Sequence, residues 1–231
     1  MALGAITVIA ADVTECNRVE WDLMARWEDN AVGRLQEAAL ELYKDPGYDK
    51  VTVAEIAERA GLTRRTFFRY FSDKREVLFF GAEKLEAFVA EAVLATPLGT
   101  PALTAVATAL AAVIRRPDED PAFADFARQR HALIRTYAEL RERELAKLAS
   151  IASATAEALR DRGVPEPTAS LAAEAGVAAF KVGFQRWVDD PRRRKLGHHV
   201  HEATDGLGAL VLEQAATCRA PAPRSRGRAR T

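Results

Sequence analysis

Cysteine is scarce in this sequence, and its scarcity excludes one class of protein. The chain has 231 residues and two cysteines, Cys16 and Cys218, each near one end. A disulfide framework needs more cysteines than this, so we expect a reducing, cytoplasmic location. Apolar residues make up 48% of the sequence, which is enough for a sizeable core. No apolar run reaches the roughly 18–20 residues needed to cross a bilayer, so we expect no membrane partner.

An excess of charge of one sign is also missing, because 33 basic residues stand against 33 acidic ones. Any attraction to nucleic acid must therefore come from a local patch. The sequence has no glycine-rich phosphate loop, no strand alternation, and no Ser/His/Asp or Cys/His arrangement. We therefore expect no cofactor and no enzymatic activity. A small enzyme using His131 or a histidine cluster near residue 200 stays open as an alternative.

Helical periodicity runs through most of the chain, interrupted by proline and glycine breakers. It predicts an all-α fold of about nine helices, with an N-terminal three-helix domain joined to a C-terminal helical bundle. The predicted domains are a poorly ordered extension (1–26), a helix-turn-helix domain (27–80), a ligand-binding and dimerisation domain (81–217) and a basic disordered tail (218–231). The longer predicted helices cover about 30–45, 74–95, 102–116, 121–132, 134–162, 167–189 and 195–217.

The most informative segment is 52–71, which reads as two short helices joined by a tight turn. Gly61 stands where the chain must leave the first helix with positive φ, and Thr63 is placed to cap the second. Leu62, Phe67 and Phe71 are predicted to face inward. The remaining side chains of the second helix then form a basic, aromatic outer face, which is the arrangement of a major-groove DNA reader.

Charge supports this interpretation, since 59–75 holds six basic residues and one acid, Asp73. The other interpretation is an ordinary helical hairpin with a solvated face. The predicted DNA-contacting residues are Thr52, Thr63, Arg64, Arg65, Thr66, Phe68, Arg69, Tyr70 and Lys74.

Residues 31–79 resemble the DNA-binding domain of the TetR family of transcriptional regulators. The resemblance is carried by 38–43, by Gly47 and Tyr48, by 52–61 and by 66–74. It implies operator contacts from Thr66, Phe68, Arg69 and Tyr70, a backbone contact from Lys74, and repression as the usual outcome. The sequence departs from the family at Arg65, where a small residue is common, and at Phe68, where tyrosine is common. The operator sequence therefore does not transfer from a relative.

Two faces are expected on the helix 167–189, one of small residues and one that carries Phe180, Phe184 and Trp187. Small residues recur at Ala172, Gly176, Ala179 and Gly183, a stripe that allows close approach of another helix. The family forms its dimer through the last two helices, so the resemblance implies a dimer interface at these four residues with Leu207 and Val211. Packing of both faces inside one subunit is the alternative. A homodimer suits a helix-turn-helix protein, because two half-sites need two readers.

Large side chains on the middle helices are candidates for a pocket that binds an unknown, mostly apolar effector. Core packing is the alternative for each of them. Three arginines near them, Arg128, Arg130 and Arg135, suit an acidic head group. The pocket candidates are Phe88, Phe123, Phe126, His131, Tyr137, Phe180, Phe184 and Trp187.

Three histidines near residue 200 form the last notable cluster. His198, His201 and Glu202 share one helical face, where a metal could bind. The neighbouring basic run 192–195 opposes a cation, so we expect no metal and a solvated helix start. Taken together, the sequence predicts a ligand-responsive transcriptional regulator, most simply a repressor that binds a palindromic operator in double-stranded DNA as a homodimer. An interaction protein with the same fold but no operator binding stays open.

Overall fold

The structure, a computed structural model, describes residues 31–219, apart from the side chains of 116, 211 and 214–219. The predicted extension 1–26 lies outside the described residues, as does the basic tail beyond Arg219. Within the described range every regular element is helical and no strand occurs, which confirms the all-α prediction. The α-helices are α1 (Ala31–Leu42), α2 (Val53–Arg59), α3 (Arg64–Tyr70), α4 (Ala82–Leu94), α5 (Ala102–Glu119), α6 (Pro121–Thr136), α7 (Ala138–Asp161), α8 (Thr168–Val188) and α9 (Leu196–Arg219).

Helices α1 to α3 form a small N-terminal unit around one apolar core. Leu35 and Ala39 of α1 meet Ile56 of α2 and Phe67 of α3, and all four side chains are fully buried. Their helical spacing turns one stripe of each helix inward, while the charged residues stay outside. This core carries α3 and determines which of its faces remains exposed.

The predicted single helix over 74–95 is wrong, because the chain breaks near residue 80. A short 3-10 turn covers Glu76–Phe79, and α4 begins only at Ala82. Phe80 has a non-helical backbone, with φ −54° and ψ 132°, and Gly81 has φ +82°, a left-handed conformation that favours glycine. Val77, Leu78 and Phe79 are buried against the N-terminal unit. The 3-10 turn therefore packs with the N-terminal unit, whereas α4 packs with the C-terminal bundle.

The C-terminal bundle consists of α4 to α9, which surround a second apolar core. Val89 and Val93 of α4, Val106 of α5 and Leu159 of α7 are buried there. Helix α8 packs between α5, α7 and α9. A third, smaller cluster around Trp187 joins α8 to α5, α6 and α9. Within residues 31–219 no helix combines the length and apolarity needed to cross a membrane.

The N-terminal unit and the bundle are joined by packing and by polar contacts. Leu133, Ile134 and Leu140, from α6 and α7, belong to the same core cluster as α1 and α3. The backbone amide of Tyr48 donates to the Tyr137 hydroxyl at 3.2 Å, and the Tyr48 hydroxyl donates to Glu139 at 2.9 Å. Burial, and then the bond to Glu139, raises the pKa of Tyr48, so its hydroxyl remains a donor.

Candidate nucleic-acid interface

Helix α2 begins with a capping box that fixes its start. The Thr52 hydroxyl accepts the amide of Glu55 at 3.3 Å, and the Glu55 carboxylate accepts the amide of Thr52 at 2.8 Å. These two bonds satisfy amides that have no partner within the helix. The bonds from Thr52, through both its hydroxyl and its amide, lower the pKa of Glu55, so the box holds while the carboxylate is ionised.

The turn between α2 and α3 is made by Gly61, which has φ +64° as predicted. The amides of Gly61 and Leu62 donate back to Glu58 and Ala57 at 2.9 and 2.8 Å, closing the end of α2. Arg34 of α1 completes the turn, because its guanidinium donates to the Ala60 and Gly61 carbonyls. Sequence reasoning missed Arg34, since nothing in its spacing marks an arginine as a helix cap.

Helix α3 is capped by Thr63, as predicted, whose hydroxyl accepts the amide of Thr66 at 3.1 Å. Phe67 is fully buried and its ring lies 5.3 Å from that of the buried Phe71. Leu62 packs against the same cluster. The inward positions predicted from the sequence are thus confirmed, and they leave the opposite face of α3 without cover.

That opposite face, the α3 outer face, consists of Arg64, Arg65, Phe68, Arg69 and Tyr70, all exposed. Phe68 is 50% exposed although it carries no polar group. The Arg69 guanidinium donates to the Tyr70 hydroxyl at 2.7 Å and lies 4.7 Å from the centre of that ring. Within the described chain, Arg64 and Arg65 have no side-chain partner.

The chemistry of the α3 outer face suits a duplex. Arginine can bridge the acceptors of guanine in the major groove or pair with phosphate, and an exposed ring can contact a thymine methyl group. The helix is short and projects from a rigid core, so its N-terminal residues can approach base edges. Nearby, Arg59 is paired with Glu41 at 2.9 Å, which leaves the charge of α3 as the local excess.

Besides Arg69 and Tyr70, four predicted DNA contacts are already engaged within the chain: Thr52, Thr63, Thr66 and Lys74. The Lys74 ammonium donates to the carbonyls of Tyr48 and Val51 at 2.7 and 3.1 Å and lies over the Tyr48 ring. One of its three donors remains for a phosphate. The Thr52 hydroxyl belongs to the capping box, and the Thr66 hydroxyl lies 3.0 Å from that of Thr63.

This arrangement defines the chain as a helix-turn-helix protein, and comparison with known proteins shows which family its N-terminal unit resembles. Residues 35–79 match the family described as bacterial regulatory proteins, tetR family. The N-terminal unit of the chain is therefore similar to the DNA-binding domain of the TetR family. The HTH-type transcriptional regulator TcmR of Streptomyces glaucescens is 40% identical over 84 residues, which are 36% of this chain and 37% of TcmR. The chain thus spans about a third of the length of the curated relatives it matches.

Two solved structures share the fold over most of the chain. SmeT of Stenotrophomonas maltophilia, solved in complex with triclosan, has a TM-score of 0.55 and 19% identity, covering 78% of this chain and 90% of SmeT. NalD, the secondary repressor of the MexAB-OprM multidrug efflux pump in Pseudomonas aeruginosa, has a TM-score of 0.50 and 18% identity, covering 78% of this chain and 94% of NalD. Identities this low show likeness of fold alone.

The residues predicted to line a ligand pocket are divided among three places. His131, Phe180, Phe184 and Trp187 form one aromatic cluster, in which His131 contacts Phe184 at 5.3 Å between ring centres. Burial lowers the pKa of His131, and its ring bonds Gln185 at 3.0 Å. The other members lie apart: Phe126 and Tyr137 pack against the N-terminal core with Phe123 beside Phe126, and Phe88 packs in the bundle core.

The three arginines proposed for an acidic head group are all engaged. Arg128 stacks on Trp187 at 4.1 Å, and Arg135 pairs with Asp189 at 2.9 Å. Arg130 donates to the Leu78 carbonyl and to Glu144, both at 2.5 Å. Their contacts hold helices together, so an acidic ligand would have to displace an existing partner.

A cavity of about 450 Å³ lies elsewhere, between α5, α8 and α9. Its apolar wall includes Leu103, Leu110 and Ile114 of α5. Gly176 and Ala179 of α8 form part of the lining. None of the eight predicted pocket residues lines it. Sequence reasoning missed this cavity, although the small-residue stripe was a signal for it.

The small-residue stripe of α8 faces the inside of the same chain. A Cβ on Gly176 would lie 2.3 Å from the Val106 side chain of α5, and one on Gly183 would lie 2.6 Å from Cα of Val200 in α9. Ala172 and Ala179 are buried as well. The stripe therefore allows α5 and α9 to approach α8, and the prediction that it contacts a second subunit is corrected. Leu207 is half-buried, and the side chain of Val211 lies outside the described part.

The histidine cluster is divided into separate pairs. His198 lies 3.3 Å from Glu202, and His201 lies 3.3 Å from Asp205. His199 is buried and bonds Asp190 at 3.0 Å. In the described residues no group of three or more His, Cys, Asp or Glu side chains is arranged to hold a metal ion.

Proposed function

We propose that this chain is a DNA-binding transcriptional regulator that binds a palindromic operator as a homodimer in the cytoplasm. Repression, relieved by a small and mostly apolar effector, is the mode that similarity to the TetR family favours. One observation carries the proposal. The α3 outer face presents three arginines and two aromatic rings at the surface, while Phe67 on the other side of the helix is fully buried.

The Phe68 ring is half exposed beside the guanidinium groups of Arg64 and Arg65, and its covered part lies against Phe67 at 5.5 Å between ring centres. Its presence is explained when the face is covered by a partner with both negative charge and apolar edges. Double-stranded DNA offers phosphates, guanine acceptors and thymine methyl groups within one groove. The short turn at Gly61 holds α3 against α2, so the face is presented in one orientation.

The test is selection of bound fragments from random duplex DNA, followed by affinity measurement on the selected sequence. Replacing Arg64, Arg65 and Arg69 together with alanine should abolish sequence-specific binding while the helical content is retained. The matched control replaces Lys84, Arg141 and Arg192, which are exposed and lack ion pairs in the described chain, and removes the same charge. The control should keep its sequence preference.

Each outcome distinguishes a function. If the unmutated protein selects no sequence, the regulator is rejected and an interaction protein with a helix-turn-helix fold is favoured. If both triple variants lose affinity equally, binding is general attraction to a polyanion and the α3 outer face is not the reader. Substrate turnover that depends on His131 or His198 would instead favour the enzyme alternative.

The outward face of α8 and the end of α9 are our candidates for the dimer interface. Leu171 of α8 is 65% exposed, and Val182, three turns further along, is exposed as well. Leu210 and Leu212 of α9 are 65% and 72% exposed although they point to opposite sides of the helix. The end of α9 is therefore uncovered on two sides within one chain, and a second copy would bury it.

Sedimentation of Leu210→Glu and of Val182→Glu tests this interface, since a buried carboxylate without a partner opposes association. Both variants should sediment as monomers and lose operator affinity. Leu98→Glu is the control, because Leu98 is exposed in the loop between α4 and α5. Dimers that survive both substitutions would place the interface elsewhere.

Contacts between the N-terminal unit and the bundle supply a route for an effector to act. Arg130 of α6 donates to the Leu78 carbonyl, and Arg143 of α7 bonds Glu76, so two bundle helices hold the 3-10 turn that follows α3. A ligand shifts the protein only if it binds the DNA-competent and DNA-incompetent states with different affinity. Movement of α6 or α7 would change the orientation of α3 through these bonds.

A further inference from the structure

The cavity between α5, α8 and α9 combines an apolar wall with a charged rim. Leu103, Leu110 and Ile114 span about three turns of α5, roughly 16 Å along the wall. The rim at one end carries Arg115 and Lys195. Its volume of about 450 Å³ lies within the usual range of small-molecule sites, roughly 300–1,000 Å³. The shape suits an elongated molecule with one polar end.

The partners of the rim charges decide the sign of that polar end. Both oxygens of Asp118 accept backbone amides at the start of α9, from Leu196 at 2.5 Å and Gly197 at 3.0 Å. Glu119 lies 3.9 Å from Arg115. The remaining rim cation, Lys195, has an ammonium with no partner within residues 31–219. The acids of the rim are thus already engaged, and a cation is left to receive a ligand.

The geometry points to an amphipathic carboxylic acid as the ligand of this cavity, with its chain along α5 and its carboxylate at Lys195 and Arg115. The ligand would lie on the inner side of α8, beside Gly176, whereas Leu171 and Val182 face outward. Ligand binding and dimerisation therefore use opposite faces of α8. Lys195 directly precedes the amides held by Asp118, so the carboxylate would lie at the joint between α5 and α9.

A role of the acid as effector depends on the proposed function, but its binding does not. Calorimetric titration of the full chain with decanoate, below its micelle concentration and without DNA, measures binding alone. Decanoate should bind up to about fivefold more tightly than decanol, the gain expected of an exposed ion pair. Lys195→Gln should remove that preference and leave decanol binding unchanged. Equal affinities for decanoate, decanol and decyltrimethylammonium would overturn the inference.

Filling the cavity tests its location. Ala107→Leu should weaken decanoate binding about tenfold or more, because added methyl groups occupy the space of the chain. Thr108→Leu is the matched control, since Thr108 is exposed on α5 and does not line the cavity. Ala111→Leu, at an exposed lining position, gives the same answer if Ala107→Leu does not fold. Unchanged binding in a folded lining variant would place the ligand elsewhere.

The two proposals fail separately. A chain that binds decanoate in a manner sensitive to Ala107→Leu but selects no DNA sequence keeps this cavity and loses the regulator function. A chain that selects an operator, but whose decanoate binding ignores both the cavity and Lys195, keeps the regulator function and loses this ligand.

Discussion

The guanidinium of Arg143 in α7 holds the carboxylate of Glu76 through two bonds, Nε to Oε1 at 2.7 Å and Nη2 to Oε2 at 3.0 Å. Both side chains are about three-quarters covered. The bond to Glu76 raises the pKa of Arg143. Glu76 begins the 3-10 turn that follows α3, so this ion pair connects the N-terminal unit to the bundle. The connection lies at the helix break near residue 80, where the sequence had predicted a continuous helix.

Removing the Arg143–Glu76 ion pair should weaken the packing of the N-terminal unit against the bundle. Arg143→Ala is expected to lower the free energy of unfolding by about 2 kcal/mol, the usual range for a hydrogen bond to a charged group. Urea unfolding of Arg143→Ala, Glu76→Ala and the double variant gives the coupling energy. If the two single effects simply add, the pair contributes no specific interaction and the fastening role is wrong.

Acid should destabilise the fold through Glu144. Burial by itself would raise the pKa of this carboxyl, but Arg130 and Lys147 lower it to about 2 from an ordinary 4.5. A group whose pKa is depressed by folding stabilises the fold above its unfolded pKa, and the contribution is lost as pH falls from about 4.5 through about 2. Over that window the stability difference between wild type and Glu144→Gln should shrink. Glu142→Gln, an exposed change on the same helix, is the matched control for the loss of one carboxylate.

Truncation should cost much more stability at Phe67 than at its neighbour Phe68. Phe67 is fully buried, so Phe67→Ala is expected to cost roughly 3–5 kcal/mol of stability. Phe68 lies on the α3 outer face with its ring edge against Phe67, so Phe68→Ala should cost only about 0.5–1.5 kcal/mol. Thermal unfolding checks both values, and binding to the selected duplex checks function. Operator affinity that is unaffected by Phe68→Ala would remove this ring from the interface.

Two glycines of the last helices should also differ. Gly183→Ala would place a Cβ 2.6 Å from the backbone of Val200, so we expect a loss of roughly 1–3 kcal/mol. Gly206→Ala meets nothing within 4 Å in the described chain and should stabilise α9 by roughly 0.5–1 kcal/mol. Denaturant unfolding distinguishes them. Equal effects would mean that α8 and α9 are not in close contact at Gly183.

Local sequence patterns by themselves determined the structure of the helix-turn-helix segment. Thr63 as a cap, Gly61 with positive φ and Phe67 facing inward each depend on residues within one or two turns, so the sequence displays them directly. The all-α fold follows from the same kind of information, since helical periodicity is read from neighbouring residues. The same local pattern implied a helix across Gly81, and it was wrong because burial of 77–79 against α1 and α3 ends the segment there.

Tertiary packing alone decided the uses of surfaces and cavities. The stripe at Gly176 and Gly183 is visible in the sequence, but a small residue permits close approach by any helix, and only the fold shows that α5 and α9 fill that role. The aromatic residues of the middle helices likewise have no sequence signal for which of them meet. Long-range partners such as Arg143 with Glu76 are brought together by folding, whereas caps and turns are determined by the chain itself.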